Sequence, residues 1–196
     1  MSDTTSAPRR SSRRSRLLIA VGSGLAVVAI VVVSILTGGH VTNGPNGQPT
    51  SKLVGQSVAS FSLSGLQSGM VESPWKSHHA TVLIFFASWC TPCKAEMPKV
   101  AAYLRHHDEG SIRVLGIDAL DERGAAKNFV TSSGVTFPIA FDPNGSVTTG
   151  VFNFRTVPET VFVNAKGVVT QVYFGAIPKN VLVTGIAALR KTLRAG

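Results

Sequence analysis

Residues 81–98 read TVLIFFASWCTPCKAEMP, and they decide the fold. TVLIFFA is apolar almost throughout and rich in β-branched and aromatic side chains, as a central strand covered on both faces should be. From Pro92 the pattern changes to that of a helix running to about His107. Between strand and helix stands Trp89-Cys90-Thr91-Pro92-Cys93. A Cys-x-x-Cys at a helix start sets the first sulfur against unpaired N–H groups and the positive end of the helix dipole, which favours thiolate over thiol. Cys90 is therefore the candidate nucleophile. Cys93, about one helical turn on, can attack the mixed disulfide that Cys90 forms and close the ring. Pro92 suits the first helical turn, where its missing N–H costs nothing.

Other uses of two cysteines fit less well. A zinc finger needs a second histidine three to five residues beyond the first, and His107 directly follows His106 with none after it. A structural disulfide closing so short a loop constrains the unfolded chain little. Two buried free thiols need neither the Trp before nor the Pro between. Cys-x-x-Cys within a βαβ-like pattern is the redox signature.

Outward from this stretch, strands are expected at 112–117 (IRVLGI), 160–163 (TVFV) and 168–173 (VVTQVY). Asn164-Ala165-Lys166-Gly167 has the length and glycine of a hairpin turn, so the last two strands should be antiparallel. Further helices fit at about 122–131 and 179–193. The order describes a mixed α/β domain with helices on both sheet faces.

The chain has 196 residues and a formal net charge of +9 from 19 Lys plus Arg against 10 Asp plus Glu. With 44% hydrophobic residues it is not a disordered chain. Residues 1–16 carry five arginines and one aspartate, and the remaining excess is scattered, with no basic stripe to track a phosphate backbone. Nucleic acid is not an expected partner. Residues 17–36 (LLIAVGSGLAVVAIVVVSIL) contain no charge and no proline, and twenty residues at about 1.5 Å each span a bilayer core. The arginines before it keep the N-terminus cytoplasmic and send the rest across. A cleaved signal peptide is the competing reading, but the run exceeds an h-region and no small-residue cleavage site follows. The expected organisation is a basic cytoplasmic tail (1–16), a transmembrane anchor (17–36), a Gly- and Pro-containing linker (37–51) and one globular domain (52–196), extracytoplasmic at the cell membrane.

FFASWCTPCKAEMP resembles the active-site stretch of the membrane-anchored thioredoxin-like thiol–disulfide oxidoreductases of the TlpA/ResA family. The resemblance runs more loosely through GVTFPIAFDPNGSV and TVPETVFV. It implies a thioredoxin fold after an N-terminal transmembrane helix. It also implies exchange of electrons with protein thiols and disulfides, in some members those of apocytochrome c before haem attachment, and a membrane electron donor or acceptor. The redox-active disulfide Cys90–Cys93 takes the place of a cofactor, and no metal is expected.

One position departs from the pattern. Six residues before the first cysteine, where thioredoxins carry a buried aspartate and many family members an asparagine, this chain has Ile84. An isoleucine cannot exchange protons, and Glu96, three residues past Cys93, is the candidate replacement. The plainer reading of Glu96 is an acid favoured near a helix start. Family position further implies that Pro158 is cis and faces the cysteines. Val157 would then offer its backbone to an extended substrate segment. Trp89 supports the active site by shielding the disulfide, or only fills space. Met70 and Met97 read as packing residues. Two other functions compete: a peroxiredoxin-like peroxidase, whose pattern wants Thr where Ala87 stands, and a non-catalytic thioredoxin-fold binding module.

Overall fold

A computed structural model describes residues 51–107 and 109–194. The expected tail, anchor and nearly all of the linker lie outside these residues. Among the described residues no helix is long and apolar enough to cross a membrane.

The strands are β1 (Ser62–Ser64), β2 (Met70–Glu72), β3 (Thr81–Phe86), β4 (Arg113–Ala119), β5 (Ile139–Asp142), β6 (Glu159–Val163) and β7 (Val169–Phe174). The α-helices are α1 (Thr91–Arg105), α2 (Arg123–Ser132) and α3 (Lys179–Arg194). Every residue of β3 is buried, and β3 lies in the middle of a five-stranded sheet ordered β5-β4-β3-β6-β7. It runs parallel to β4 and antiparallel to β6, with Ile84 opposite Gly116 and Thr160. β5 adds parallel to β4, and β7 adds antiparallel to β6 through the turn that contains Gly167. β1 and β2 form a separate antiparallel hairpin.

Strand alternation divides the core in two. Val82, Ile84 and Phe86 face one cluster, and Leu83 and Phe85 face the other. The buried side chains of all three α-helices join the first cluster. This corrects the expectation of helices on both faces. The second face is covered by a short 3-10 helix, Pro74–Ser77, which buries Trp75, and by successive turns over 145–154. Those turns are held by Asp142, whose carboxylate accepts from the Ser146 and Thr148 hydroxyls and the Val147 and Thr148 N–H groups. Asn144 and Gly145 in this stretch favour turns over a regular helix. Phe152 and Phe154 then meet the ring of Phe85 at 5.0 and 5.1 Å.

Gly185 explains how closely α3 seats on the sheet. A Cβ at that position would lie 2.3 Å from the Phe162 ring, so the close approach offsets the cost of about 1 kcal/mol of a glycine within a helix. β5 and the β1–β2 hairpin exceed the expected elements, because runs of three or four residues are too short for a period to show. Met97 is buried, but Met70 is 65% exposed on β2, which corrects its reading as a packing residue. A three-residue strand in a two-stranded hairpin offers it nothing to pack beneath.

Candidate active site

Beyond the end of β3 the chain passes through Ala87, Ser88 and Trp89 before α1 begins, and the loop after β4 holds this turn in place. The N–H and hydroxyl of Ser88 both donate to the Asp121 carboxylate. The indole Nε1 of Trp89 donates to the carbonyl oxygen of Leu120 at 3.1 Å. Trp89 is 57% exposed, so it fills no core space.

Cys90 caps α1 with extended backbone angles and is joined to Cys93 by a disulfide. Its Sγ accepts the Cys93 N–H at 3.1 Å and stands 3.5 Å from the carbonyl oxygen of Val157. A sulfur that replaces the capping oxygen at a helix start is placed to carry negative charge. Cys93 is fully buried, whereas Thr91 and Pro92 between the cysteines are exposed. Cys90 is 3% exposed, so the little of the pair that reaches solvent belongs to Cys90. The Val157–Pro158 peptide is cis and leads into β6, which sets Val157 beside Cys90.

Glu96 lies on the buried face of α1 with Cys93, Met97 and Val100. Its Oε1 accepts the Ile177 N–H at 2.8 Å, and Oε2 has no hydrogen-bond partner. Burial pushes its carboxyl up to about 7, opposed by the Ile177 N–H. It lines a mostly apolar cavity of about 440 Å³ between α1 and the start of α3, with Lys99, Tyr103 and Lys179 among the walls.

Two further buried acids stand near the cysteine end of the sheet. Asp118 on β4 is fully buried beside Phe86, and no donor faces either of its oxygens. Burial first, and then the neighbouring charge of Asp121, raise its carboxyl to about 8. Glu159 follows Pro158 directly; Oε1 accepts from the Thr156 hydroxyl while Oε2 is unpartnered, and burial raises the group to about 7. The sequence does hold a signal for Asp118. In a strand with both faces buried, an acid between Ile117 and Ala119 has no solvent side to occupy. Nothing local marks Glu159, whose burial is set by pairing with Phe85 across the sheet. Among the described residues no group of three His, Cys, Asp or Glu side chains is placed to hold a metal ion.

Comparison with known proteins places this geometry among relatives. The model of the AhpC/TSA family matches residues 54–172. Thiol-disulfide oxidoreductase ResA of Bacillus thuringiensis is 24% identical over 156 residues, 80% of this chain and 90% of that protein. ResA of Bacillus subtilis is 28% identical over 100 residues, 51% of this chain and 55% of its own. The structure of Mycobacterium tuberculosis DsbF, in mixed oxidized and reduced forms, superposes with a TM-score of 0.60 at 28% identity, covering 66% of this chain and 94% of that one.

Proposed function

This chain belongs to the AhpC/TSA family and is a thioredoxin-like thiol–disulfide oxidoreductase, and from that premise we propose that it reduces disulfides of extracytoplasmic proteins while tethered by residues 17–36. The observation that carries the chemistry is Cys90 Sγ at the start of α1, accepting the Cys93 N–H and facing Val157 beside a cis proline.

In the reduced enzyme the Cys90 thiolate attacks a substrate disulfide. A bond forms between Cys90 and one substrate sulfur, and the other substrate sulfur leaves as a thiolate and is protonated. Cys93 then loses its proton and attacks Cys90 Sγ. The intramolecular disulfide forms, the second substrate thiol is released, and two electrons have passed to the substrate. Glu96, three residues beyond Cys93 on the same helix face and held near 7 by burial, is suited to take the Cys93 proton. A dithiol donor must return two electrons to Cys90–Cys93, and a membrane protein is its proposed source. The likeness to ResA, together with the resemblance to reductants of apocytochrome c, supports the paired cysteines of such an apoprotein as one substrate.

A peroxidase cycle is disfavoured, because Ala87 stands where the peroxidase pattern wants a threonine hydroxyl, and it is fully buried. A pure binding module has no use for the joined cysteines. The test is insulin reduction by the full chain in detergent, driven by a dithiol. Turnover that Cys90→Ser abolishes supports the reading, and absence of turnover by the wild type defeats it. Cell fractionation with N-terminal sequencing tests the tether, which a mature chain starting after Thr37 would remove.

A further inference from the structure

The acid absent at Ile84 reappears one strand away. In the β3–β4 register Ile84 stands opposite Gly116 and Phe86 opposite Asp118, and Phe86 faces the same core as Cys90 and Cys93. Asp118 is fully buried, and neither of its oxygens has a hydrogen-bond partner. The charged groups that act on it are Asp121 in the loop after β4, Arg123 at the start of α2 and Asp142 at the end of β5. β3 and the turn into α1 bring no titratable group but the joined cysteines. Arg123 is engaged elsewhere: its guanidinium donates to the Gly65 and Leu66 carbonyl oxygens and lies 4.2 Å over the Phe141 ring. The Asp142 carboxylate is filled by donors from Ser146, Val147 and Thr148. That leaves Asp121, whose carboxylate accepts both the N–H and the hydroxyl of Ser88, two residues before Cys90. The stretch between the two acids is strained. Leu120 has a φ of +53°, where a branched side chain is disfavoured, and such backbone persists only where its surroundings over-determine it. Its N–H donates to the Asp142 carbonyl oxygen at 3.0 Å, and its own carbonyl oxygen accepts the Trp89 indole N–H at 3.1 Å. The turn before Cys90 thus hangs on a loop that these few bonds keep from relaxing.

We propose that Asp118 is a positioning residue for thiol exchange. Protonated, it leaves Asp121 seated on Ser88; ionised, it repels Asp121 and releases the turn that presents Cys90. This rests on the oxidoreductase reading above and adds control of the same site by pH. Two like charges repel far more strongly in a water-poor core than in solvent, and Asp121, the more exposed of the two, is the one that yields. Its movement breaks both bonds to Ser88 and lets the strained Leu120 relax, so Cys90 loses its fixed place at the start of α1. The proton itself passes to water. Burial and the charge of Asp121 hold the Asp118 carboxyl near 8, so release belongs above that pH, beyond the rise that Glu96 contributes near 7. Thiol exchange ordinarily quickens as pH rises and thiolate forms, so a loss of rate there has no source in the sulfurs.

The experiment follows the full chain in detergent from about pH 6 to 9.5, a range that takes in the carboxyl and the unperturbed thiol. In the oxidised protein, where no thiol titrates, Trp89 emission should change with a midpoint near 8. Trp89→Phe assigns the signal, since Trp75 is the other tryptophan. Asp118→Asn, which keeps the shape of the protonated acid, should abolish the transition. Asp121→Asn, which removes the facing charge, should move the midpoint toward acid by about one unit. The dithiol-reduced protein is then tested in single-turnover reduction of oxidised glutathione. The ratio of the Asp118→Asn rate to the wild-type rate should grow about tenfold between about pH 7 and 9, as the protonated form of the wild type is lost. No emission change in the wild type, a change that persists in Trp89→Phe or in folded Asp118→Asn, or a flat rate ratio overturns the proposal and leaves the oxidoreductase reading standing. An unmoved midpoint in Asp121→Asn does so even where the Asp118 variant fails to fold. Failure of the wild type to reduce the disulfide at any pH defeats both.

Discussion

Where β3 and β4 finish and β6 begins, carboxyls of Asp118 and Glu159 lie buried with unpartnered oxygens, and Glu96 on the adjoining helix does the same. Where β3 and β4 begin, a larger cleft of about 900 Å³ is lined by Arg105, His106 and Arg113, whose side chains reach solvent. Size favours the second end, but chemistry favours the first. A buried, unpaired polar group costs on the order of 1–3 kcal/mol, and each such group asks for an explanation. At the cysteine end the explanation is at hand, since thiol exchange moves protons and raised carboxyls exchange them near neutral pH. The open cleft holds most of its polar groups in water; Glu109 there is buried with Oε1 unpartnered, but its other oxygen accepts from the Arg190 guanidinium, which offsets its charge.

The largest expected effects test whether the cysteine end is the reacting end. Cys90→Ser should abolish mixed-disulfide formation with substrate, a loss of several orders of magnitude. Cys93→Ser should instead accumulate the mixed disulfide, seen as a mass shift on a non-reducing gel. Trapping by the Cys90 variant would reverse the two roles.

Glu96→Gln comes next and keeps the size and the acceptor for the Ile177 N–H. With the Glu96 carboxyl near 7, the wild-type rate of mixed-disulfide resolution should rise through that pH as the base form appears. The variant should lose this inflection and resolve about 10- to 100-fold more slowly. Stopped-flow disulfide exchange from about pH 5 to 9 reads both, on a range that brackets the unperturbed thiol pKa of about 8.5. Superimposable profiles would reduce Glu96 to an acid favoured near the helix start.

What the sequence made legible follows the range of the signal. Cys90, Cys93 and Pro92 announce themselves within five residues, and β3 does so by its unbroken apolar run. Pro158 was legible only through family resemblance, since nothing local distinguishes it from Pro143 in an Asp-Pro-Asn-Gly turn. Asp118, Glu159 and Leu120 take their meaning from cross-strand register and from a loop that folds back on Trp89. Such contacts span tens of residues, and neither composition nor period encodes them. The turn-built cover over 145–154 is hidden for a related reason. It is stabilised by Asp142 acting on residues four to six positions away, a pattern of neither strand nor helix.

Asp118 gives a smaller effect, read as stability. Its carboxyl lies near 8 in the folded chain against 3.8 for the unperturbed group, so the native state holds a proton that the unfolded chain gives up. The stability linked to that proton is fully present below about pH 4 and is lost as pH rises through about 8. Glu96 and Glu159 act in the same direction up to about 7. Thermal unfolding of the oxidised protein should therefore show falling stability between about pH 5 and 8. Asp118→Asn should remove on the order of 4 kcal/mol of that fall, since each tenfold difference in proton affinity between folded and unfolded chain is worth about 1.36 kcal/mol and the scan covers about three pH units between the two values. An unchanged slope would mean that the Asp118 carboxylate is already ionised in the fold.

The smallest effect belongs to the cleft, and its smallness is what the comparison of the two ends requires. Arg113 opens β4 with its side chain exposed, and its backbone N–H donates to the Ala80 carbonyl oxygen at 2.8 Å. That bond survives any side-chain change except proline. His79 lies in the loop before β3, where its carbonyl oxygen accepts the Thr81 hydroxyl, again through backbone. Replacing both with serine removes one exposed and one half-buried side chain, neither of them part of the buried core. The double variant should match the wild type in insulin reduction within about twofold and in stability within about 0.5 kcal/mol. A large loss of turnover with stability intact would place substrate or electron-donor contacts at the far end of the sheet. The buried acids would then no longer distinguish the working end of the molecule.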